Sequence, residues 1–346
     1  MIIHASFFIQ SVPPALWYTL DMSTGTAAAH PNIAFIKYWG NRDHQLRIPS
    51  NGSISMNLEG LETQTTVKFD NLLKEDMLVW DEKIQKGNAL KRVATVLDKV
   101  RTLSGESRFA KVKSNNNFPA GTGIASSASA FAALSLAASC AAGLNLNEAE
   151  LSRIARLGSG SACRSVPAGF VEWQAGYDDY NSYAYSIAPE YHWNLADCIA
   201  VISKSHKTTS SEEGHALADS SQFQAVRIDN AIERLDICRK AIIEKDFDAF
   251  AEVTEFDSNM MHAVIMTSNP PVIYWQPATL QVIHEVIKMR KNGVQACYTI
   301  DAGPNVHVIC NDGESSQISA HLKNISGVQE VITARPGGPA KCINLP

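Results

Sequence analysis

The chain has 346 residues, 45% of them hydrophobic and 19% charged, which is the composition of a globular protein long enough for two domains or one large one. Its net charge of −5 argues against a general nucleic-acid binder, which needs a basic surface to displace counterions, yet leaves room for a local basic pocket that takes an anionic substrate. Seven dispersed cysteines (Cys140, Cys163, Cys198, Cys238, Cys297, Cys310, Cys342) form no CxxC pair, so zinc ribbons and redox motifs are unsupported, reduced thiols in a cytoplasmic protein are expected, and no apolar run is long enough to span a bilayer.

Residues 1–22 are apolar and aromatic around Pro13-Pro14 and lack the basic cluster of a signal peptide; they read as an extension, with Met22 an alternative start. Asn32–Ile36, Ser53–Leu58 and Thr63–Phe69 carry the alternating or β-branched patterns of strands. Lys86 to Leu103 reads as an amphipathic helix with Leu90, Val93, Val96, Leu97 and Val100 on one face. A short strand at Lys111–Asn115 precedes a loop holding Gly121 and Gly123, then an alanine-rich helix ending near Gly143. Asn147 and Glu150 have the spacing of a capping box for a second helix that stops near Gly158. Beyond Trp193 the pattern gives a strand at Asp197–Ser203, helices at Ser220–Glu244, Phe247–Met261 and Ala278–Lys291, and strands at Ala296–Thr299 and His307–Cys310. Helices and strands mix in both halves without regular βαβ alternation, so an α+β fold is expected, with a domain boundary near residue 195.

Five segments carry candidate chemistry, and each has a plainer reading beside it. The Gly121–Ser127 loop feeds a helix start, where backbone N–H groups and the hydroxyls of Ser126 and Ser127 suit phosphate or a magnesium ion; the alternative is an ordinary tight connection. Gly158-Ser159-Gly160-Ser161-Ala162-Cys163-Arg164 offers a guanidinium among small residues, or a surface turn with a solvated arginine. Asp301-Ala302-Gly303-Pro304-Asn305 presents a carboxylate on a turn, or simply a turn-forming aspartate. Lys37 ends an apolar strand, where lysines are often edge charges. Lys204, Lys207, Ser210, Ser211 and Gly214 form a polar cluster that a solvated loop also explains.

Taken together, "PNIAFIKYWGNRD", "NNNFPAGTGIASSASAFAAL", "RIARLGSGSACRSVPAGFVEW", "IIEKDFDAFAEVTEFDSNMMHA" and "YTIDAGPNVHV" resemble the diphosphomevalonate decarboxylase family of the GHMP kinase superfamily, from about Ala29 to Asn305. The resemblance implies an ATP-binding N-terminal domain over 23–195, a C-terminal α+β domain over 196–346, an active-site cleft between them, ATP with magnesium, and a homodimer. It implies a reaction in which ATP phosphorylates the C3 hydroxyl of a phosphorylated mevalonate, after which phosphate and carbon dioxide leave and an alkene remains. By position, Asp301 matches the base beside that hydroxyl, Arg164 the arginine on the substrate carboxylate, and Lys37 and Tyr38 substrate-site residues. Ser159, Ser161 and Ser211 match substrate-site serines, and Arg92 an arginine near the phosphate arm. Gly121, Gly123, Ser126 and Ser127 match the ATP phosphate loop, with Ser127 the candidate metal ligand.

Two departures bear on the substrate. The family reads Lys-Tyr-Trp-Gly-Lys, with the second lysine on the diphosphate, where this chain has Asn41. Glu212 and Glu213 stand where some relatives place an arginine. Both changes disfavour extra negative charge on the substrate, so mevalonate 5-phosphate is the expected substrate, with the diphosphate the alternative. A kinase that stops before decarboxylation, a non-catalytic binder of a phosphorylated metabolite and a sugar kinase are the further alternatives; the pairing of Asp301 with Arg164 disfavours the first, retention of Lys37, Ser127, Arg164 and Asp301 the second, and the "GSGSACRS" phrase the third.

Overall fold

A computed structural model describes residues 23–118, 126–205 and 209–343. Residues 1–22, Gly121, Gly123 and Lys207 therefore lie outside the described residues.

In chain order the first half runs β1 (Thr24–Ala29), β2 (Asn32–Ile36), β3 (Asn41–Asp43), β4 (Ile48–Pro49), β5 (Ser53–Glu59), β6 (Thr63–Asp70), β7 (Met77–Trp80), β8 (Lys83–Gln85), α1 (Asn88–Ser104), β9 (Phe109–Asn116), α2 (Ser126–Ala141) and α3 (Glu148–Gly158). A 3-10 helix (Gly160–Ser165) and strands β10 (Phe170–Trp173) and β11 (Ala184–Ala188) complete it. The second half runs β12 (Leu195–Val201), α4 (Ser211–Leu217), α5 (Gln224–Asp229), α6 (Ala231–Glu244), α7 (Phe247–Met266), α8 (Pro277–Lys291), β13 (Ala296–Thr299), β14 (Val306–Asn311), α9 (Ser315–Lys323), β15 (Glu330–Pro336) and β16 (Lys341–Cys342). The α+β class is as the sequence leads one to expect.

One sheet has the order β16-β1-β6-β9-β7-β8. Its long strands β6 and β9 alternate buried and outward residues, as a sheet covered on one face requires. The cover is α1, α2 and α3. The expected apolar face of α1 is buried through Val93, Val96, Leu97 and Val100. α2 is alanine- and serine-rich and lies hard against β1, where Gly25 makes room for it: a Cβ there would stand 2.3 Å from the Ala137 carbonyl oxygen. The Asn147/Glu150 capping box of α3 is present, each side chain accepting the other's backbone N–H at 3.0 and 2.9 Å.

The larger sheet has the order β11-β10-β5-β15-β12-β14-β13, with β2 also paired to β5. β12 is buried at every position. Leu195, Ile199 and Val201 pack toward α6 and α7, where Phe35, Trp193 and Phe250 meet edge to face. Ala196, Cys198 and Ala200 pack toward α8 and α9. Burial on both faces explains why this strand reads as a continuous apolar run. The sheet extends through the position near 195 where the sequence puts a domain boundary: β10 and β5 come before it, and β15 pairs with both β12 and β5.

Two expectations are corrected. The helix expected over Ser220–Glu244 is broken into α5 and α6 at Asn230, whose side-chain amide donates to the Val226 carbonyl at 2.9 Å and competes with the helical ladder. The cysteines are not all free thiols: Cys140 at the end of α2 and Cys342 on β16 form a disulfide across a sequence separation of 202. The chain brings them together by returning β16 to the edge of β1. The other five cysteines are free and buried. Among the described residues no helix is long and apolar enough to cross a membrane.

Candidate active site

Lys37 is no edge charge. It leaves β2 with its side chain 2% exposed, and its peptide is gripped from both sides. Its backbone N–H donates to Asp257 Oδ2 at 2.6 Å, and its carbonyl accepts from Arg227 Nη2 at 2.6 Å and Asn51 Nδ2 at 3.0 Å. Asp257, on α7, is itself fully buried and bound by Arg234 Nε at 2.7 Å. Helices of the second half thus fix a lysine of the first half. The Nζ then reaches Asp301 Oδ1 at 2.6 Å.

Asp301 stands on the turn between β13 and β14. Asn305 ties that turn to the exit of β12, its Oδ1 accepting from Ile202 N at 2.7 Å and Ser203 N at 3.0 Å. Thr279 Oγ1 donates to the Pro304 carbonyl and Thr299 Oγ1 to the Ala34 carbonyl, at 2.7 and 3.0 Å. So held, the Asp301 side chain stays 28% exposed. Burial pushes its pKa up, but the combined pull of Lys37, His307 and Arg164 outweighs burial and holds the carboxyl below the ordinary aspartate range. Asp301 is thus ionised at neutral pH. Burial pushes the Lys37 pKa down, against the opposing pull of Asp301.

Arg164 lies on the 3-10 helix and is 3% exposed. Its Nη1 donates to Ser53 Oγ at 2.6 Å and its Nη2 to Asn32 Oδ1 at 3.1 Å, while Nε has no partner among the described residues. A buried guanidinium with one unused donor is what a carboxylate-bearing ligand would satisfy. Burial pushes its pKa down.

Lys37, Asp301 and Arg164 line one cavity of about 290 Å3, together with Tyr38, Arg92, Ser126, Ser127, Ser159, Ser161 and Ser211. Ten sequence candidates thus converge. Asn41 does not reach the wall; it is buried behind it, its Oδ1 accepting a hydrogen bond from the Tyr38 hydroxyl. Ser127 Oγ lies 3.2 Å from Ser159 Oγ, which joins the start of α2 to the Arg164 segment. A smaller, mainly apolar cavity of about 160 Å3 shares Arg92, Ser126 and Ser127 with the first and is otherwise lined by residues such as Leu78, Trp80, Val93 and Phe131. The Ser126–Ser127 helix start therefore sits between a polar chamber and an apolar one, an arrangement suited to a nucleotide's phosphates and base.

Sequence reasoning missed Arg47, Asn88 and His215, which also line the main cavity. Arg47 comes from the β3–β4 connection and His215 from α4, and neither sits in a motif. His215 stacks on Tyr38 with ring centres 4.1 Å apart, and Trp173 meets the same tyrosine edge-on at 4.7 Å. Glu212 lines the cavity, but Glu213 does not: it caps α4 through Ser210, accepting the Ser210 N–H at 2.7 Å. Only one of the two carboxylates therefore bears on a ligand.

Gly160 is required where it stands. A Cβ there would come within 2.5 Å of the Tyr38 ring, which His215 and Trp173 prevent from retreating. Gly160→Ala is expected to cost about 1–3 kcal/mol of stability, read by denaturant melts, and to depress turnover with it.

Among the described residues no group of three or more His, Cys, Asp or Glu side chains could hold a metal ion. Magnesium bound to a nucleotide needs only one or two protein oxygens besides phosphates and water, which the Ser127 hydroxyl fits.

Sequence models of two families match the chain: "Diphosphomevalonate decarboxylase-like N-terminal domain" over residues 29–184 and "Mevalonate 5-diphosphate decarboxylase C-terminal domain" over residues 198–341. The chain is 36% identical to a diphosphomevalonate decarboxylase of Candida albicans, over 90% of this chain and 92% of that one. It is 34% identical to a phosphomevalonate decarboxylase of Haloferax volcanii, over 92% and 97% respectively. Its fold matches that of "MDDEF in complex with MVAPP, AMPPCP and Magnesium" with a TM-score of 0.87 and 36% identity, covering 93% of this chain and 99% of that one.

Proposed function

Because the chain belongs to the diphosphomevalonate decarboxylase family, we propose that it is the member that takes mevalonate 5-phosphate, using ATP to phosphorylate the C3 hydroxyl and releasing phosphate and carbon dioxide to give isopentenyl phosphate. The ATP-dependent carboxy-lyase activity follows from the family. The monophosphate is carried by the charge around the cavity: a carboxylate, Glu212, lines the wall, and behind Tyr38 stands the neutral Asn41 rather than a cation. A second reading is the diphosphate, favoured by the names of the Candida relative and of both family models.

The chemistry asked of these residues is positioning and charge placement. Asp301, ionised beside Lys37, accepts a hydrogen bond from the C3 hydroxyl and takes its proton as the oxygen attacks the terminal phosphorus of ATP. Once that proton has passed to solvent through the exposed side of Asp301, the regained carboxylate charge lies beside C3, where positive charge develops as phosphate departs. Arg164 holds the carboxylate in line through donors that Ser53 and Asn32 leave correctly oriented. The grip must not stabilise the carboxylate more than the transition state in which carbon dioxide separates. Ser126 and Ser127 at the start of α2, with Arg92, would hold the nucleotide phosphates. Magnesium, held by Ser127, would supply neutralisation of their charge. A homodimer in the cytoplasm completes the proposal; sedimentation reads the first part.

Steady-state kinetics with both substrates test it: the monophosphate should have the higher kcat/KM, and a higher value for the diphosphate sinks the choice. Asn41→Lys should move the ratio toward the diphosphate by about tenfold, the worth of one charged hydrogen bond. Both substrates share any disturbance of Tyr38, so the ratio isolates charge.

A further inference from the structure

We propose that Arg47 and Glu212 form a specificity pair across the cleft: Arg47 is the ligand for one phosphoryl group of the substrate, and Glu212 excludes a second. This rests on the reading that the substrate is a mevalonate phosphorylated at C5.

The pair is built rather than incidental. Arg47 arrives from the β3–β4 connection in the first half of the chain, its Nε anchored on the Leu157 carbonyl at 3.1 Å. Its Nη2 meets Glu212 Oε1 at 2.9 Å. Glu212 is the second residue of α4, in the other half, and its remaining oxygen accepts from Asn88 Nδ2 at 3.1 Å. Both oxygens of the carboxylate are therefore fixed by donors from separate elements, although the side chain is 42% exposed. An ordinary solvated charge at a helix start has no such anchorage. Arg47 is only 13% exposed, and its Nη1 donates to no described residue, so a planar donor remains for a phosphoryl oxygen.

The neighbour on the same wall is Arg92, which donates through Nε to the Gly158 carbonyl at 2.9 Å and lies over the Phe131 ring at 4.7 Å. Burial, with the like charge of Arg47 beside it, pushes its pKa down to about 10, so it keeps its charge at neutral pH. Two guanidinium groups thus face one carboxylate. Two positive charges and one negative leave about one net positive charge, which a phosphate monoester at about −1.5 to −2 already uses up. A diphosphate would add negative charge beside a carboxylate that Arg47 and Asn88 hold in place, where repulsion is less screened than in open solvent. No cation at position 41 offsets this, since that side chain is the neutral Asn41. Glu213 gives a built-in control, because it sits on the same helix turn but spends its carboxylate on capping Ser210.

The test is titration calorimetry of the full chain with mevalonate 5-phosphate and mevalonate 5-diphosphate, which needs no turnover. Glu212→Gln should shift the ratio of the two Kd values toward the diphosphate by about tenfold, and Arg47→Gln should weaken both ligands by about tenfold or more, as expected for loss of a charge-assisted contact. Glu213→Gln, which preserves the capping pattern, should leave the ratio within about twofold. An unshifted ratio in Glu212→Gln, an equal shift in Glu213→Gln, or full-strength binding by Arg47→Gln overturns the pair while leaving the substrate reading intact. A wild-type protein that binds neither ligand overturns the substrate reading, and the pair with it.

Discussion

Asp301→Asn is expected to lower kcat by about 10²–10⁴-fold while leaving the KM for ATP within about threefold, since it removes a general base without touching the nucleotide chamber. The asparagine keeps the shape of the side chain and can still accept from Lys37, 2.6 Å away in the native protein. What it loses is the negative charge that takes the hydroxyl proton and faces C3. The same change leaves the Lys37 ammonium short of its counter-charge. The cavity admits water at Asp301, which is 28% exposed, so the stability loss should stay below the roughly 3–5 kcal/mol of breaking a fully buried pair. A folded protein with a somewhat lowered melt and turnover reduced by about 10²–10⁴-fold is the expected outcome; near-normal turnover would remove Asp301 from its role.

Arg164→Lys should be nearly as damaging, with kcat/KM falling by about 10²-fold or more from loss of alignment. The guanidinium spans Ser53 Oγ and Asn32 Oδ1 with its two terminal nitrogens, which aims the third nitrogen, Nε, free of any described partner. An ammonium is a single point of charge and cannot fill three directions at fixed angles. It also leaves Ser53 or Asn32 without a donor in a dry site. Ser53→Ala, which loosens the guanidinium without removing it, should cost about tenfold at most. If Arg164→Lys decarboxylates at the native rate, the planar fork is not what aligns the carboxylate.

The residues of this site differ in how legible they were. Asp301, Arg164, Lys37 and the serines of the Arg164 segment lie in local phrases, where a turn or a helix start is specified within a few residues, and the structure brings them to one cavity. The α3 capping box was readable for the same reason, because Asn147 and Glu150 settle it between themselves. Burial of Lys37 was not readable: it depends on Asp257 and Arg227, about 220 and 190 residues downstream, meeting its backbone. Arg47 was invisible because its partner Glu212 lies 165 residues downstream, and a charge in a loop has no signature of its partner. The break at Asn230 turned on one side chain preferring its own helix backbone, which periodicity does not register. The Cys140–Cys342 disulfide required the chain to return to the first sheet through β16. Local chemistry is written along the chain, whereas long-range pairing is decided by the assembled fold.

The central claim is that an ionised Asp301 and a forked Arg164 act on one small acid beside a nucleotide. The most direct measurement follows carbon dioxide and ADP together from wild-type enzyme, ATP and each phosphorylated mevalonate. The account predicts one carbon dioxide per ADP, with the faster turnover on the monophosphate. ADP without carbon dioxide would make the protein a kinase and contradict it.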